Sequence, residues 1–446
     1  MAQAKRTLRE LLAGQVEWRS TGSLRPYPDN PRRHPDDQIE ALGRSISKFG
    51  WARPIGIDGS GTILFGHGCY EAARRLALAE VPTLTLTGLS EAEKRALMIA
   101  DNRLAEESDW DPDLLVLHFK ELLEIDFDVE LTGFSTGQID ILLDGAPKES
   151  CAQDPDDVLD SALQGPPVTV LNDCWKLGAH GLICGDARLA VSYQALLGGT
   201  RAQMVVTDPP YNVKIEGHAR GRSRKKQREF AMASGEMTDA QFTVFLESTM
   251  ALVIASSEDG SIHYWFMDWR HLPQLLGASG PLYTEWKNLL VWRKSNAGQG
   301  SFYRSHHELI AVFKLGNAPH INNFGLGADG RYRTNVLDYP GGMTPDHKRR
   351  EELEMHPTVK PVALIADLMR DCSRRNGLIL DPFGGSGTTL LAAERTGRRA
   401  RVIEIDPLYV DLSIRRWQRQ TGAQAIHVET GRTFDDIAAE REVDHG

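Results

Sequence analysis

Apolar positions in the N-terminal part of the chain recur at two spacings. From Gln38 to Phe49 they fall at Ile39, Leu42, Ile46 and Phe49, one face of an amphipathic helix that Gly50 ends. Pro54-Ile-Gly-Ile and Thr62-Ile-Leu-Phe are short strand-type runs around a turn at Asp58-Gly-Ser-Gly. Gly66-His-Gly opens a second helix, expected over Tyr70 to Ala79. Helical spacing continues through Ala92–Leu104, Leu114–Leu123 and Thr136–Leu143. Between Gly145 and Pro167 the period vanishes and Pro, Asp, Ser and Gly dominate, the composition of a linker. Beyond Val168, apolar strands such as Met204-Val-Val-Thr and Leu378-Ile-Leu alternate with helical stretches such as Phe242–Ser256 and Val362–Cys372. That alternation is the mark of a doubly wound α/β sheet. The expected organisation is a small α+β domain with trailing helices over 1–144, a linker over 145–167 and an α/β domain over 168–446.

A chain of 446 residues suits two or three domains, and 41% hydrophobic with 25% charged residues is a globular profile. No apolar run reaches the length that spans a bilayer. The start, Met-Ala-Gln-Ala-Lys-Arg, lacks the apolar core of a signal peptide, so a cytoplasmic protein is expected. The five cysteines are scattered, without a Cys-x-x-Cys pair, and suggest neither a zinc site nor a disulfide framework. The net charge of −10 argues mildly against a nucleic-acid partner, but the distribution matters more than the sum. Lys214, Arg220, Arg222, Arg224, Lys225, Lys226 and Arg228 form a basic run with Glu216 as the only acid before Glu229. Such a run is ordinarily a solvated loop. Its place directly after the strongest motif of the chain favours contact with phosphate.

That motif is Thr207-Asp208-Pro209-Pro210-Tyr211, at the carboxyl end of the strand through Met204–Val206, where open α/β sheets put their sites. The residue types suit chemistry on an amino group conjugated to a heterocyclic base. Such a nitrogen is a poor nucleophile because its lone pair is delocalised. A carboxylate, Asp208, can accept one N–H, and a backbone carbonyl, that of Pro209, the other. Together they favour the tetrahedral nitrogen and its developing positive charge. The Pro209–Pro210 pair stiffens the backbone, and Tyr211 offers a ring on which an extruded base can stack. The bland alternative is a Pro-rich turn.

A second motif reads as strand, glycine-rich turn and helix: Gly377-Leu-Ile-Leu-Asp381-Pro-Phe383-Gly384-Gly385-Ser386-Gly387-Thr388-Thr389, closed by Gly397. Arg401-Val-Ile-Glu404-Ile-Asp406 is the next strand, completing a βαβ unit of the nucleotide-binding kind. The glycines let backbone approach a ligand, and the helix start favours a carboxylate. Glu404 lies about twenty residues past the glycines, the spacing at which an acid meets ribose hydroxyls. The loop is neither Gly-x-Gly-x-x-Gly nor a lysine-bearing phosphate loop. A cofactor without a diphosphate, such as S-adenosylmethionine, suits it better than a nicotinamide dinucleotide.

Together these residues resemble the amino-methyltransferases of DNA, in the permuted group called β. There the Asp-Pro-Pro-Tyr motif comes first, the target-recognition region follows, and the Phe-x-Gly-x-Gly loop comes last. The resemblance covers most of Val168 to about Thr430 and extends to Ile183-Cys-Gly185-Asp186-Ala and His356-Pro-Thr358-Val-Lys360-Pro361. It implies catalysis by Asp208, Pro209, Pro210 and Tyr211. It implies S-adenosyl-L-methionine bound by Asp186, Thr358, Lys360, Asp381, Phe383, Gly384, Gly385, Gly387, Thr388 and Glu404. Double-stranded DNA is the implied partner, without a membrane, and a homodimer is common in the group. The recognition region, about 296–354, contains Arg304, Arg331 and Arg333, basic residues that suit phosphate or guanine edges and are otherwise solvent-facing charge. His306-His307 implies no metal, since no ligands sit at a matching spacing. No Pro-Cys follows an apolar strand, which disfavours C5-cytosine chemistry. Asp at the first motif position leans to adenine N6 in this family, with cytosine N4 as the alternative. A non-catalytic DNA-binding or partition-type protein is the rival reading.

The N-terminal segments Ser23–Arg32, Arg53-Pro54-Ile and Phe65-Gly66-His67-Gly68, with Tyr70-Glu-Ala-Ala-Arg74-Arg75 behind them, resemble the ParB/sulfiredoxin-like fold over about 16–105. In that family the glycine turn and a following Arg make a nucleotide pocket. Cys69 occupies the Arg position here, which argues against triphosphate binding.

Overall fold

The computed structural model describes residues 15–125, 127–145, 155–157, 166–213, 235–295, 303–324, 332–341 and 360–444. The chain divides into two units, Met1–Leu143 and Asp144–Gly446. No described helix is long and apolar enough to cross a membrane.

In the first unit β1 (Val16–Ser20), β2 (Ile55–Asp58), β3 (Ile63–Phe65) and β4 (Glu80–Leu86) form a sheet in the order β1-β4-β2-β3. β2 and β4 are parallel, while β1–β4 and β2–β3 are antiparallel. Leu24, Ile55, Ile57, Ile63, Tyr70, Ala73 and Val81 make its core. The amphipathic helix is Asp36–Phe49, closed by Gly50 as expected. The second helix is His67–Arg75 and stops short of Ala79. Ala77 takes a left-handed φ of 53°, and the Leu78 N–H turns back onto the Ala73 carbonyl. This folds Leu78 against the core just before β4 begins, so packing ends the helix where its apolar period alone does not. Helix Glu91–Ala105 starts at a capping box made by Ser90 and Glu93. Helices Pro112–Glu124 and Thr136–Asp144, joined through a 3-10 turn at Val129–Thr132, enclose a separate small core of Phe119, Val129 and Ile139.

The second unit is built on β5 (Cys174–Leu177), β6 (His180–Cys184), β7 (Ala202–Thr207), β8 (Ser257–Met267), β9 (Glu285–Lys294), β10 (His307–Lys314), β11 (Val336–Tyr339), β12 (Leu378–Asp381), β13 (Arg399–Glu404) and β14 (Ile426–His427). Their order is β11-β9-β10-β8-β7-β12-β13-β6-β5-β14. The central run β8-β7-β12-β13-β6 is parallel throughout. β10 pairs antiparallel with β8 and β9, and β5 and β14 extend the far edge antiparallel. Alternation along β7 shows why the apolar run forms a buried strand. Met204 and Val206 join one core with Val362 and Ile365, whereas Val205 joins the opposite core with Phe242 and Leu246. Helices Val362–Cys372 and Thr388–Thr396 cover one face and helix Asp239–Ala255 the other. The second unit is a doubly wound α/β fold, and the first is a smaller α+β unit.

Two stretches differ from the reading of their composition. Residues 155–157, within the Pro- and Asp-rich segment, are docked on the second unit. The Asp157 carboxylate accepts the Val362 N–H at 2.8 Å, and the Asp156 carbonyl accepts from Arg416 at 2.6 Å. The span 296–354 is not one charged loop, because β10 runs through it with Leu309–Phe313 buried between β8 and β9. Five consecutive apolar residues there could be satisfied only by the core.

The second unit is also tied at its start, where the Asp411 carboxylate accepts the buried N–H groups of Val168 (2.6 Å) and Thr169 (3.0 Å). Asp411→Ala leaves both donors without a partner and should destabilise this unit by about 2 kcal/mol. The urea midpoint of its unfolding transition reads the loss.

Candidate active site

The carboxyl ends of β7 and β12 lie side by side, with Leu380 opposite Val205 in the parallel register. Asp208 follows β7, and the glycine loop follows β12, so two motifs far apart in the chain open into one cleft. The Thr207 hydroxyl donates to Asp381 Oδ1 at 2.9 Å. Asp381 also accepts from the Phe383 N–H at 3.1 Å and from the Thr389 hydroxyl at 2.6 Å. Burial pushes its carboxyl up to about 6, against the pull of these donors.

Around Asp208 the side chains form a charged cluster. Tyr211 donates its hydroxyl to Oδ1 at 2.6 Å, and Lys360 Nζ donates to Oδ2 at 2.6 Å. Lys360 also pairs with Glu308 Oε2 at 3.1 Å, and Lys294 holds the other oxygen of Glu308. The Lys360 ammonium lies 5.5 Å from the centroid of the Tyr211 ring, on its face. Burial raises the Asp208 carboxyl above the usual carboxylate range, with Lys360 pulling it back. Burial acts the same way on Glu308, but Lys360 and Lys294 outweigh it and hold that carboxyl down at about 2. Asn212, with a left-handed φ of 55°, fixes the far end of the motif. Its Oδ1 accepts from the N–H groups of Gly235 (3.1 Å) and Met237 (3.2 Å).

In the glycine loop, Gly387 adopts φ 82° as it caps helix Thr388–Thr396. A Cβ at Gly384 would stand 2.2 Å from Val402 Cγ1 of β13. Phe383 packs on Phe245 with ring centroids 5.9 Å apart. Glu404, at the end of β13, accepts the N–H groups of Gly385 (2.7 Å) and Asp406 (2.8 Å). Burial drives its carboxyl up to about 7, against those two donors. The Gly185 N–H bonds the Glu404 carbonyl at 2.8 Å, which brings Asp186 to the same rim. The Thr388 hydroxyl reaches the Lys360 carbonyl at 3.3 Å. Asp208, Pro209, Pro210, Tyr211, Asp186, Lys360, Asp381, Phe383, Gly384, Gly385, Gly387, Thr388 and Glu404 therefore converge on the carboxyl edge of the sheet. Thr358 lies outside the described residues. Among the described residues, no group of His, Cys, Asp and Glu is arranged to hold a metal ion.

The basic residues read as DNA contacts fare differently. Arg222, Arg224, Lys225, Lys226 and Arg331 lie outside the described residues, and Arg304 is exposed. Arg333 is not on the surface: its side chain is 7% exposed and bonds Asp371 at 3.0 Å, with Asp367 at 3.6 Å. Its charge is consumed inside the fold because two buried carboxylates require a cation. Asp186 is engaged by Arg188 at 2.6 Å. Glu308, Lys294 and Asn212 went unnoticed in the sequence. Glu308 opens the apolar run Leu309–Phe313, and its acid at that border is the one local signal.

Two regions of the chain are similar to known families. A family of DNA methylases of the N6/N4 type matches residues 202–415, and the ParB-methyltransferase helix-turn-helix domain matches residues 113–171. The ParB-like nuclease domain-containing protein YnaK of Escherichia coli K12 is 38% identical over 81 residues, 18% of this chain and 93% of that protein. The type II methyltransferase M.ScaI of Streptomyces caespitosus is 36% identical over 91 residues, 20% of this chain and 30% of that protein. The crystal structure of an M1.HpyAVI–SAM complex aligns at 18% identity over 53% of this chain and 98% of that one, with a TM-score of 0.38. Residues 202–415 thus match an N6/N4 DNA methylase domain, and the chain carries a ParB-like domain ahead of that part.

Gly384→Ala sets a methyl group into Val402 and should cost about 1–3 kcal/mol while displacing the loop. A lowered thermal midpoint checks the first effect, and a changed environment of Phe383 in aromatic NMR spectra checks the second.

Proposed function

We propose that this protein transfers a methyl group from S-adenosyl-L-methionine to the exocyclic amino group of a base extruded from double-stranded DNA, most readily adenine N6. The observation that carries the proposal is the shared cleft. Asp208, with its hydrogen-bonding neighbours, opens beside a glycine loop that ends on Glu404. The donor set fits the cofactor. A Cβ at Gly385 would meet only open space, Glu404 offers a carboxylate to ribose hydroxyls, and no phosphate-binding lysine is present in the loop. When bound, the cofactor supplies an electrophilic methyl group. Asp208 accepts an N–H of the target amino group, Pro209 offers its carbonyl to the other, and Tyr211 stacks on the base. Asp208 is also the nearest acceptor for the proton that the methylated nitrogen sheds, and its raised proton affinity suits that task. Asp at the first motif position favours adenine over cytosine. Arg304 and the basic run that includes Arg222, Arg224, Lys225 and Lys226 are assigned to DNA. The cytoplasm, where DNA is accessible, is the assigned compartment.

Incubation with the cofactor and unmethylated DNA, followed by nucleoside mass spectrometry, should yield N6-methyladenine. N4-methylcytosine instead would change the base, and neither product would sink the proposal. Asp208→Ala should reduce transfer by at least about a thousandfold while the fold and cofactor affinity persist. Full activity in that variant would remove Asp208 from the mechanism.

Glu404 links cofactor binding to pH. Burial lifts its carboxyl to about 7, and ribose hydroxyls donate to the charged form, so binding at neutral pH expels about half a proton. Affinity should fall about tenfold per unit as pH drops below 7 and level off above it. Calorimetry in buffers of different ionisation enthalpy reads the proton, and Glu404→Gln should abolish it.

A further inference from the structure

Both oxygens of Asp208 are occupied, Oδ1 by Tyr211 and Oδ2 by Lys360. The Lys360 ammonium also covers a face of the Tyr211 ring. One cation therefore fills both places that a target base needs, the acceptor for its N–H and the ring on which it stacks. It is a donor standing in for a donor. A base can enter only if Lys360 leaves, and a buried ammonium leaves only toward another carboxylate, because stranding it unpaired is too costly. One such carboxylate is in contact. Glu308 Oε2 is 3.1 Å from Nζ, and Lys294 anchors the opposite oxygen. Exposure follows the same gradient. The Lys360 side chain is 6% exposed and Glu308 16%, whereas Asp208 retains 27% toward the cleft.

We infer that Glu308 is a positioning residue that receives Lys360 when the target amino group takes its place on Asp208, with Lys294 holding Glu308 ready. The role goes beyond the methyl-transfer reading but rests on it. Without Glu308, Lys360 has Asp208 as its remaining carboxylate in this cluster, and the site stays closed. The groups that face Asp208 are Lys360, Glu308 and Tyr211, with Lys294 behind Glu308, Asp381 interacting from a distance, and Asp268 acting on Tyr211. Removing the Glu308 charge leaves Lys360 undivided on Asp208, so the acid limb of the rate profile moves to lower pH.

The test uses the full chain, saturating S-adenosyl-L-methionine and DNA from a methylation-deficient bacterial host. Glu308→Gln should lower kcat about tenfold or more and shift the acid limb downward, without a matching loss of cofactor affinity. Glu308→Asp should restore part of the rate. The double variant Glu308→Gln with Lys360→Gln should be faster than Glu308→Gln alone, because no lysine remains to hold Asp208. A wild-type rate and pH profile in Glu308→Gln would overturn the inference, as would a double variant slower than the single one. A second measurement needs no turnover. In a thermal-unfolding cycle, Asp208→Asn and Glu308→Gln should be non-additive because they share Lys360, and additivity would overturn the shared lysine. If the wild-type protein transfers no methyl group, the functional reading falls, and this cycle still decides whether the two carboxylates compete for one cation.

Discussion

One hydrogen bond joins the two halves of the cleft. The Thr207 hydroxyl, at the last position of β7, donates to Asp381 at the last position of β12. The same carboxylate binds the Phe383 N–H and the Thr389 hydroxyl, so it fixes the glycine loop at its entry and the helix that follows. Asp208 begins one residue after Thr207. A single buried carboxylate with three donors therefore ties the Asp208 loop to the glycine loop. Burial opposes its charge, and the donors keep it in one geometry. A cleft that must align two loops from remote parts of the chain needs such a rigid clamp at the sheet rather than contacts between the loops.

Two buried charge clusters in the second unit show how the same residue types serve different ends. Arg333, Asp367, Asp371 and Tyr339 close β11 against helix Val362–Cys372, with the charged side chains about 7% exposed. Their charges are internal to the scaffold and face no cleft. Lys360, Glu308, Lys294 and Asp208 also neutralise one another, but this cluster ends on Asp208, whose side chain keeps 27% exposure. A partly exposed end makes the second cluster exchangeable. A ligand that donates hydrogen bonds can substitute for a member without leaving a bare charge behind.

The neutral-range acid at the other side of the cleft follows the same logic. Glu404 is pushed up by burial and held by two backbone N–H groups, one of them from the glycine loop itself. It thereby organises the loop.

The sequence by itself determined the local elements and the two motifs. The apolar spacing of Gln38–Phe49 and of Val362–Cys372 gave helices at those places, and Met204–Thr207 was a strand because branched and apolar residues followed one another. Asp208–Tyr211 and Asp381–Thr389 were legible because turn geometry and close backbone approach demand particular residues within a few positions. Tertiary structure alone decided the rest. It ended the second helix at Arg75, made β10 a core strand within a stretch of charge, spent Arg333 on Asp371, and brought Glu308 and Lys360 to Asp208. Those outcomes depend on which strands become neighbours. β7 lies beside β12 across most of the second unit, and a pairing between such distant residues leaves no period in the sequence by which to read it.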